Sequence, residues 1–120
     1  MVEKKYNSQG QVAVLFSFGY GKGWSTLLHK NEIQMRREMM MNKNLVEYVM
    51  NCREKGKIVT ASEMRKLWLE VLPEYPVPDL GGASQLNVMW VNKNQAFQIR
   101  DMKGAEYIYC PRDDPSWEIA

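Results

Sequence analysis

The 120-residue chain has few of the side chains on which catalytic and metal sites are usually built. It contains one histidine, His29, and two cysteines, Cys52 and Cys110. Two cysteines so far apart form neither a Cys-x-x-Cys pair nor a four-ligand zinc site. A Cys–His couple stays open in principle, although no neighbouring residue supports it. We therefore expect two buried thiols in a reducing, cytoplasmic compartment, and no metal or other cofactor.

An excess of one charge and a long apolar run are also missing. Lys and Arg number 16 and Asp and Glu 14, which gives a net charge of +2. Proteins that bind the phosphate backbone of duplex DNA usually have a strong basic excess, so we expect no DNA partner. The longest apolar run, residues 12–16, is much shorter than the roughly 20 residues of a membrane helix. Residues 1–7 are polar, so we expect neither a membrane span nor a classical secretion signal.

The distribution of apolar residues indicates a single domain over residues 1–120 with irregular ends. Residues 1–10 are polar and predict a loose arm, whereas residues 111–120 contain two prolines and several charges and predict an irregular tail. Residues 11–18 are mostly β-branched or aromatic and lie between two glycines, which predicts a buried strand. No repeat or linker divides the chain.

Two amphipathic helices are predicted in the middle of the chain. An apolar stripe that includes Leu45 and Val49 marks the first helix, and Gly56 is a typical residue for its C-terminal cap. Thr60 and Glu63 form a capping box at the start of the second helix. The apolar face of the second helix consists of Met64, Leu67, Trp68 and Val71.

Three short alternating runs towards the C-terminus predict a three-stranded antiparallel meander. Residues 86–91, 97–99 and 107–110 supply the strands, and turns at 92–95 and 102–104 separate them. Together with the first strand, we expect the meander to form a single sheet packed on the two helices, an α+β fold.

A glycine-rich loop after the first strand is the most informative feature of the sequence. Residues 19–26 read Gly-Tyr-Gly-Lys-Gly-Trp-Ser-Thr. Glycines let backbone amides approach an anion closely, and Ser25 and Thr26 add hydroxyl groups. Tyr20 and Trp24 offer flat faces on which a base can stack. The spacing is neither a Walker loop nor a dinucleotide-binding fingerprint, and on local chemistry alone a tight turn that packs Trp24 into the core is an equally good interpretation.

Basic residues and methionines both concentrate in the helical middle of the chain. Some of the cations could pair with a pyrophosphate, although a solvated face interleaved with glutamates is the commoner arrangement; they are Arg36, Arg37, Lys43, Arg53, Lys55, Lys57, Arg65 and Lys66. Methionines adapt their shape and suit core packing or a contact between proteins; they are Met35, Met39, Met40, Met41, Met50, Met64 and Met89. Residues 31–42 follow neither a helical nor a strand period. Trp68 and Trp90 are expected in the core, and the scattered carboxylates provide no acid/base pair.

Several segments of the chain are similar to those of a group of small bacteriophage proteins. The shared segments are the glycine loop at 19–26, Gly-Gly-Ala at 81–83, Leu-Asn-Val-Met-Trp-Val at 86–91 and Phe-Gln-Ile at 97–99. The similarity extends over about residues 12–108, and the glycine loop combined with Gly-Gly-Ala is its most specific part. Within this group, the chain resembles the Thoeris anti-defence sponges.

The resemblance implies a non-catalytic protein in the cytoplasm of an infected bacterium. Such a sponge binds and sequesters a cyclic ADP-ribose-type signal made by TIR-domain proteins, without cleaving it, and so blocks host defence. The resemblance also implies a homo-oligomer, a dimer or larger, with ligand pockets near subunit junctions. For some members it implies a second site that holds cyclic oligonucleotides.

The chain departs from the family pattern near its last strands. Gln98 stands where the family has Arg, and Met102 and Lys103 stand where it has Tyr-Asp. Arg100, two residues after Gln98, would lie on the same face of a strand and could take over the pairing with phosphate. The expected ligand-binding residues are Phe16, Gly19, Tyr20, Gly21, Gly23, Trp24, Ser25, Thr26, Asn92 and Arg100.

Two other functions remain open from the sequence. The first is a phage inhibitor that binds a host protein through the Met-rich helical surface, with the glycine loop as a structural turn. The second is a small nucleotide-processing enzyme.

Overall fold

A computed structural model describes residues 2–17, 33–78, 80, 83–102, 105–109 and 118–119, which form an α+β fold. In chain order, the elements are β1 (Gln11–Ser17), α1 (Ile33–Met41), α2 (Lys43–Glu54), α3 (Ala61–Val71), β2 (Leu86–Asn92), β3 (Ala96–Met102), β4 (Ala105–Tyr109) and β5 (Glu118–Ile119). A short 3-10 turn, Ala83–Gln85, leads into β2. None of the described helices is long and apolar enough to cross a bilayer.

Strand β1 is buried on both of its faces, as its unbroken apolar sequence predicts. Ala13 and Leu15 pack into a cluster built mainly from the helices. Val12 and Val14 pack on the opposite side, into a cluster that includes Phe97 of β3. All four side chains are fully buried. Because burial of one large aliphatic side chain stabilises a fold by about 1.5–3 kcal/mol, β1 connects the two halves of the core.

The predicted single sheet with a three-stranded meander is wrong. β2 pairs antiparallel with β1 along its whole length, from Asn92 opposite Gln11 to Leu86 opposite Ser17. β3 pairs instead with β4 and β5, so the described strands form a two-stranded sheet and a three-stranded sheet in the order β4–β3–β5. The turn expected at 92–95 is present, with Asn94 at a φ of 68°, but it redirects the chain out of the ladder. Alternating residues mark a strand without identifying its partner.

The outer edge of β2 is partly occupied by side chains. In the antiparallel ladder, alternate residues of β2 direct their backbone groups away from β1. The backbone N–H of Val88 donates to Oδ1 of the neighbouring Asn87 at 2.8 Å. This side chain therefore occupies a position that a further strand would need.

The middle of the chain forms three helices rather than the two that were expected. α1 lies in the stretch where no helical period was visible. Its methionines explain why: Met35 and Met39 join the helical cluster, whereas Met40 and Met41 join the cluster on the other side of β1. A helix that is buried on two sides has no single apolar stripe, so its sequence lacks the usual signature.

The predicted ends of the other two helices are confirmed. α2 ends at Glu54, and Gly56 follows with a φ of 68°, in the left-handed region. Thr60 caps α3, with its Oγ1 accepting a hydrogen bond from the Glu63 backbone N–H at 3.3 Å. Asn42 caps α2 in the same way.

Trp68 lies in the core as expected, whereas Trp90 lies at its edge. Trp68 on α3 is fully buried, and its indole N–H donates to the carbonyl oxygen of Tyr75 at 3.1 Å. Trp90 on β2 is half-buried against the same cluster.

The N-terminal residues are anchored rather than loose. The backbone N–H of Ala13 donates to Lys5 O at 3.0 Å, and that of Lys43 donates to Glu3 O at 2.8 Å. Salt bridges join the Lys43 ammonium to Glu3 at 3.5 Å and the Lys5 ammonium to Glu47 at 3.6 Å. A polar sequence predicts exposed side chains, but it does not exclude backbone pairing.

The prediction of an irregular tail over residues 111–120 is wrong in one place. Glu118 and Ile119 form β5 and pair with Phe97 and Ala96 of β3. Residues 111–117 and 120 lie outside the described part of the chain.

We expect Gly56→Ala to lower the free energy of unfolding by about 1 kcal/mol, because Gly56 has a left-handed backbone. A Cβ atom at this position would meet nothing within 4 Å, so the cost is conformational rather than steric. Gly56→Asn is the matched control and should lose less, since Asn tolerates this region. Urea unfolding followed by circular dichroism measures both variants. Equal stability of wild type and Gly56→Ala would contradict the left-handed cap.

Candidate functional site

Both glycine segments of the sequence adjoin the same end of the β1–β2 ladder. Ser17, the last residue of β1, pairs with Leu86, the first residue of β2. Along the chain, the glycine loop follows Ser17 after one intervening residue, and the Gly-Gly-Ala segment leads through the 3-10 turn to Leu86. Antiparallel neighbours have Cα atoms about 5 Å apart. The fold therefore brings together the points at which the two segments join the sheet.

Arg53, near the end of α2, is fixed at this end of the ladder. Its Nε–H donates to the carbonyl oxygen of Leu86 at 3.0 Å, and its Nη2 donates to the carbonyl oxygen of Ser84 at 3.3 Å. Nη2 also donates to Leu86 O. A guanidinium group is planar, so two carbonyl contacts set both its position and its orientation.

In the sequence, Arg53 is one of eight cations in the helical middle of the chain, and nothing distinguishes it from the other seven. The carbonyl groups that it contacts lie 31 and 33 residues further along the chain. Backbone carbonyls carry no residue-specific signal, so only the packing of α2 beside the start of β2 reveals the arrangement.

The predicted site residues lie in different places. Phe16 is half-buried at the same end of the ladder, packed against the cluster that includes Val12 and Phe97. Seven of the residues lie outside the described part of the chain: Gly19, Tyr20, Gly21, Gly23, Trp24, Ser25 and Thr26. Arg100 lies in β3 opposite Tyr107, in the three-stranded sheet.

Asn92 lies at the opposite end of the ladder. It pairs with Gln11, and its Oδ1 accepts a hydrogen bond from the Gln11 side-chain amide at 3.2 Å. The length of β1 separates Gln11 from Ser17, which corresponds to about 20 Å. Within one chain, the structure therefore does not bring Asn92 to the start of the glycine loop.

The cations near the N-terminal segment are already paired. Lys43 pairs with Glu3, and Lys5 pairs with Glu47. Arg53, in contrast, contacts no carboxylate among the residues that the structure describes. Within the described ranges, the groups that it contacts are carbonyl dipoles.

A concave surface lies between the N-terminal segment and α2, away from the shared end of the β1–β2 ladder. It is an open groove of about 410 Å³, lined by Lys5, Glu47, Tyr48, Met50, Asn51 and Glu54. Glu47 and Glu54 outnumber the one lysine, which already pairs with Glu47. The groove therefore carries a net negative charge, which is unfavourable for binding an anion.

Cys52 and Tyr48 form a neighbouring pair on α2 rather than a reactive centre. Burial, followed by a hydrogen bond with Cys52, raises the pKa of Tyr48 well above its usual range. Cys52 is only 5% exposed, as expected for a structural thiol, whereas a reactive thiol needs access and ionisation. Cys110 and His29 lie outside the described residues. Within the described ranges, no group of three His, Cys, Asp or Glu side chains could hold a metal ion.

Most of the methionine cluster is core. Met35, Met39, Met40, Met41 and Met64 are each 2% exposed or less. Met50 is half-buried, and Met89 on β2 is 44% exposed. These five buried side chains offer no surface to another protein.

Comparisons with known proteins assign no family, because no family model, curated protein or solved structure matches the chain. The candidate site is therefore the shared end of β1 and β2. Two glycine segments join the sheet there, next to the oriented guanidinium group of Arg53, whereas Phe16 lies at the same end on the opposite side of the sheet.

We expect hydrogen peroxide to oxidise Met89 in the native protein well before Met35, Met39 or Met64. Oxidation follows exposure of the thioether, and these three methionines are buried within a single chain. Peptide mass spectrometry after timed exposure measures each position, and the same reaction in urea is the control, in which the rates should converge. Rapid native oxidation of Met39 would place the cluster at the surface.

The Glu38 carboxyl on α1 makes stability depend on pH. Burial raises its pKa, the Glu74 charge adds to this effect, and a hydrogen bond from Asn42 opposes it. The folded state therefore holds the proton more tightly than the unfolded state, so stability falls as pH rises from the ordinary pKa of 4.5 through the raised one. We expect Glu38→Gln to unfold at a higher temperature than wild type at neutral pH, with a smaller difference in acid. Exposed Glu70→Gln is the control, and a gain of the same size there would contradict the assignment.

Proposed function

We propose that the protein is a sponge for a signalling nucleotide. It binds a cyclic ADP-ribose-type molecule, holds it without cleaving it, and so blocks TIR-triggered defence in the cytoplasm of an infected bacterium. The observation that supports this proposal is the shared end of the β1–β2 ladder. Two glycine segments join the sheet there, at Ser17 and Leu86, beside the guanidinium of Arg53.

The chemistry of the ligand matches the residue types at this end. A cyclic ADP-ribose has an adenine with two flat faces, two ribose edges and a pyrophosphate with two negative charges. The loop sequence supplies aromatic rings at Tyr20 and Trp24 and hydroxyls at Ser25 and Thr26. Glycine amides and a guanidinium group are suited to the pyrophosphate. Sequestration requires tight binding alone, so it needs no activated nucleophile.

We further propose that the active form is a homo-oligomer, a dimer or larger. Within one chain, Asn92 lies at the far end of β1 from the glycine loop. A pocket near a subunit junction would let Asn92 of one chain approach the loop of the next. A second site for cyclic oligonucleotides is part of the same proposal for the assembly.

The alternative of a host-protein inhibitor acting through a Met-rich surface has less support. It needs exposed methionines on the helices, and Met35, Met39 and Met64 are buried. The alternative of a nucleotide-processing enzyme has no accessible nucleophile to act with among the described cysteines, since Cys52 is buried.

We expect the purified protein to bind one member of a panel of cyclic ADP-ribose isomers and to release it chemically intact after denaturation. Calorimetry measures binding, and mass spectrometry identifies the released molecule. Trp24→Ala should weaken binding by about 5- to 150-fold, the range for loss of a base-stacking ring. Leu69→Ala is the control, because Leu69 is a large apolar residue on α3 that is 50% exposed.

Two results would overturn the proposal. A linearised or hydrolysed nucleotide in the released material would show catalysis. Failure of every isomer to bind, together with nucleotide-independent capture of one host protein, would favour the inhibitor.

A further inference from the structure

Arg53 has donor groups that the fold does not use. A guanidinium carries five N–H donors. Nε and Nη2 are directed at the carbonyl oxygens of Leu86 and Ser84. Among the residues that the structure describes, nothing accepts a hydrogen bond from Nη1. The residue is solvent-exposed, so this edge of the group is accessible.

No carboxylate of the described residues pairs with Arg53 either. Other cations of the same region pair with carboxylates, Lys43 with Glu3 and Lys5 with Glu47. Among the described residues, Arg53 has only carbonyl dipoles beside it, which orient the guanidinium without cancelling its charge. Because Nε and Nη2 are held by these carbonyl groups, little side-chain freedom is lost when an anion contacts the remaining nitrogen, Nη1.

Its position matches the site of the proposed function. Arg53 contacts Leu86, whose strand neighbour Ser17 leads towards the glycine loop. Ser84, its other contact, lies two residues after the Gly-Gly pair. About one strand spacing, roughly 5 Å, separates β2 from β1. A ligand that contains two riboses and a pyrophosphate is longer than this spacing.

We propose that Arg53 binds a phosphate group of the nucleotide, with its guanidinium held in place by the carbonyl oxygens of Ser84 and Leu86. This inference rests on the proposed function and names a binding residue of the same site. It assigns to Arg53 the role that the sequence had suggested for Arg100.

The test is calorimetric titration of the full chain with the cyclic ADP-ribose isomer that binds wild type, at low and high ionic strength. We expect Arg53→Gln to weaken binding by about 10- to 100-fold, the usual value of a charge-assisted hydrogen bond. Arg53→Lys keeps the charge but loses the planar guanidinium group. Its affinity for the nucleotide should fall between those of Arg53→Gln and wild type. Arg65→Gln removes an exposed arginine of α3 and should bind as wild type does.

Salt dependence separates a phosphate contact from a purely structural role. If Arg53 only held the 83–86 segment in place, its loss would lower affinity without changing the effect of salt. If it binds phosphate, the affinity of Arg53→Gln should vary less with ionic strength than that of wild type. Binding within a factor of about two of wild type, or an unchanged salt dependence, would overturn the proposal.

Two further measurements cover the remaining outcomes. If Arg53→Gln unfolds, nitrogen-15 NMR of the wild-type arginine side chains decides, because the Arg53 guanidinium signals must shift on nucleotide addition. If wild type binds no isomer, the proposed function fails, and titration with inorganic pyrophosphate then tests Arg53 alone. Pyrophosphate binding that Arg53→Lys weakens would support the anion site, and absence of binding would refute it.

Discussion

The burial of β1 on both faces is the constraint on which the rest of the fold depends. Its side chains alternate between two apolar clusters, and each cluster recruits different elements. Ala13 and Leu15 hold the helices, whereas Val12 and Val14 hold β3. A strand in this position cannot slip by one residue without exchanging its two faces, and both are already matched to their neighbours.

The fixed register of β1 has a direct effect on the candidate site. It determines that Ser17 faces Leu86, and thus that the glycine loop and the Gly-Gly-Ala segment join the sheet side by side. Arg53 connects α2 to the same point through Leu86 and Ser84. Strand β1, helix α2 and the 3-10 turn thus meet at the site that we propose for the ligand. A site attached to such rigid elements loses little freedom when it takes a ligand.

The sequence predicts correctly those features that depend only on neighbouring residues. The unbroken apolar run predicts β1 as a buried strand. Thr60 and Gly56 predict helix ends that the structure confirms. These signals work because capping and left-handed backbone depend on one or two neighbouring residues.

Features that depend on residues far away in the chain leave no signal in the local sequence. α1 was missed because Met39 and Met40 face different clusters, which removes the helical stripe. The strand at 86–92 was recognised, but its pairing with β1 was not, because alternation is the same for any partner. Arg53 was indistinguishable from other cations, since its partners are backbone carbonyls far away in the sequence. The separation of Asn92 from Ser17, at opposite ends of the ladder, likewise follows only from the strand pairing.

The side-chain hydrogen bonds along β2 limit how copies of this chain can associate. Asn87 takes the Val88 N–H, and Arg53 takes the Leu86 carbonyl, so the first part of this strand is already saturated. A neighbouring molecule cannot extend the sheet there by adding a strand, which also protects the monomer from growing into fibres. In this part of β2, contacts with another molecule would therefore involve side chains rather than a continued ladder.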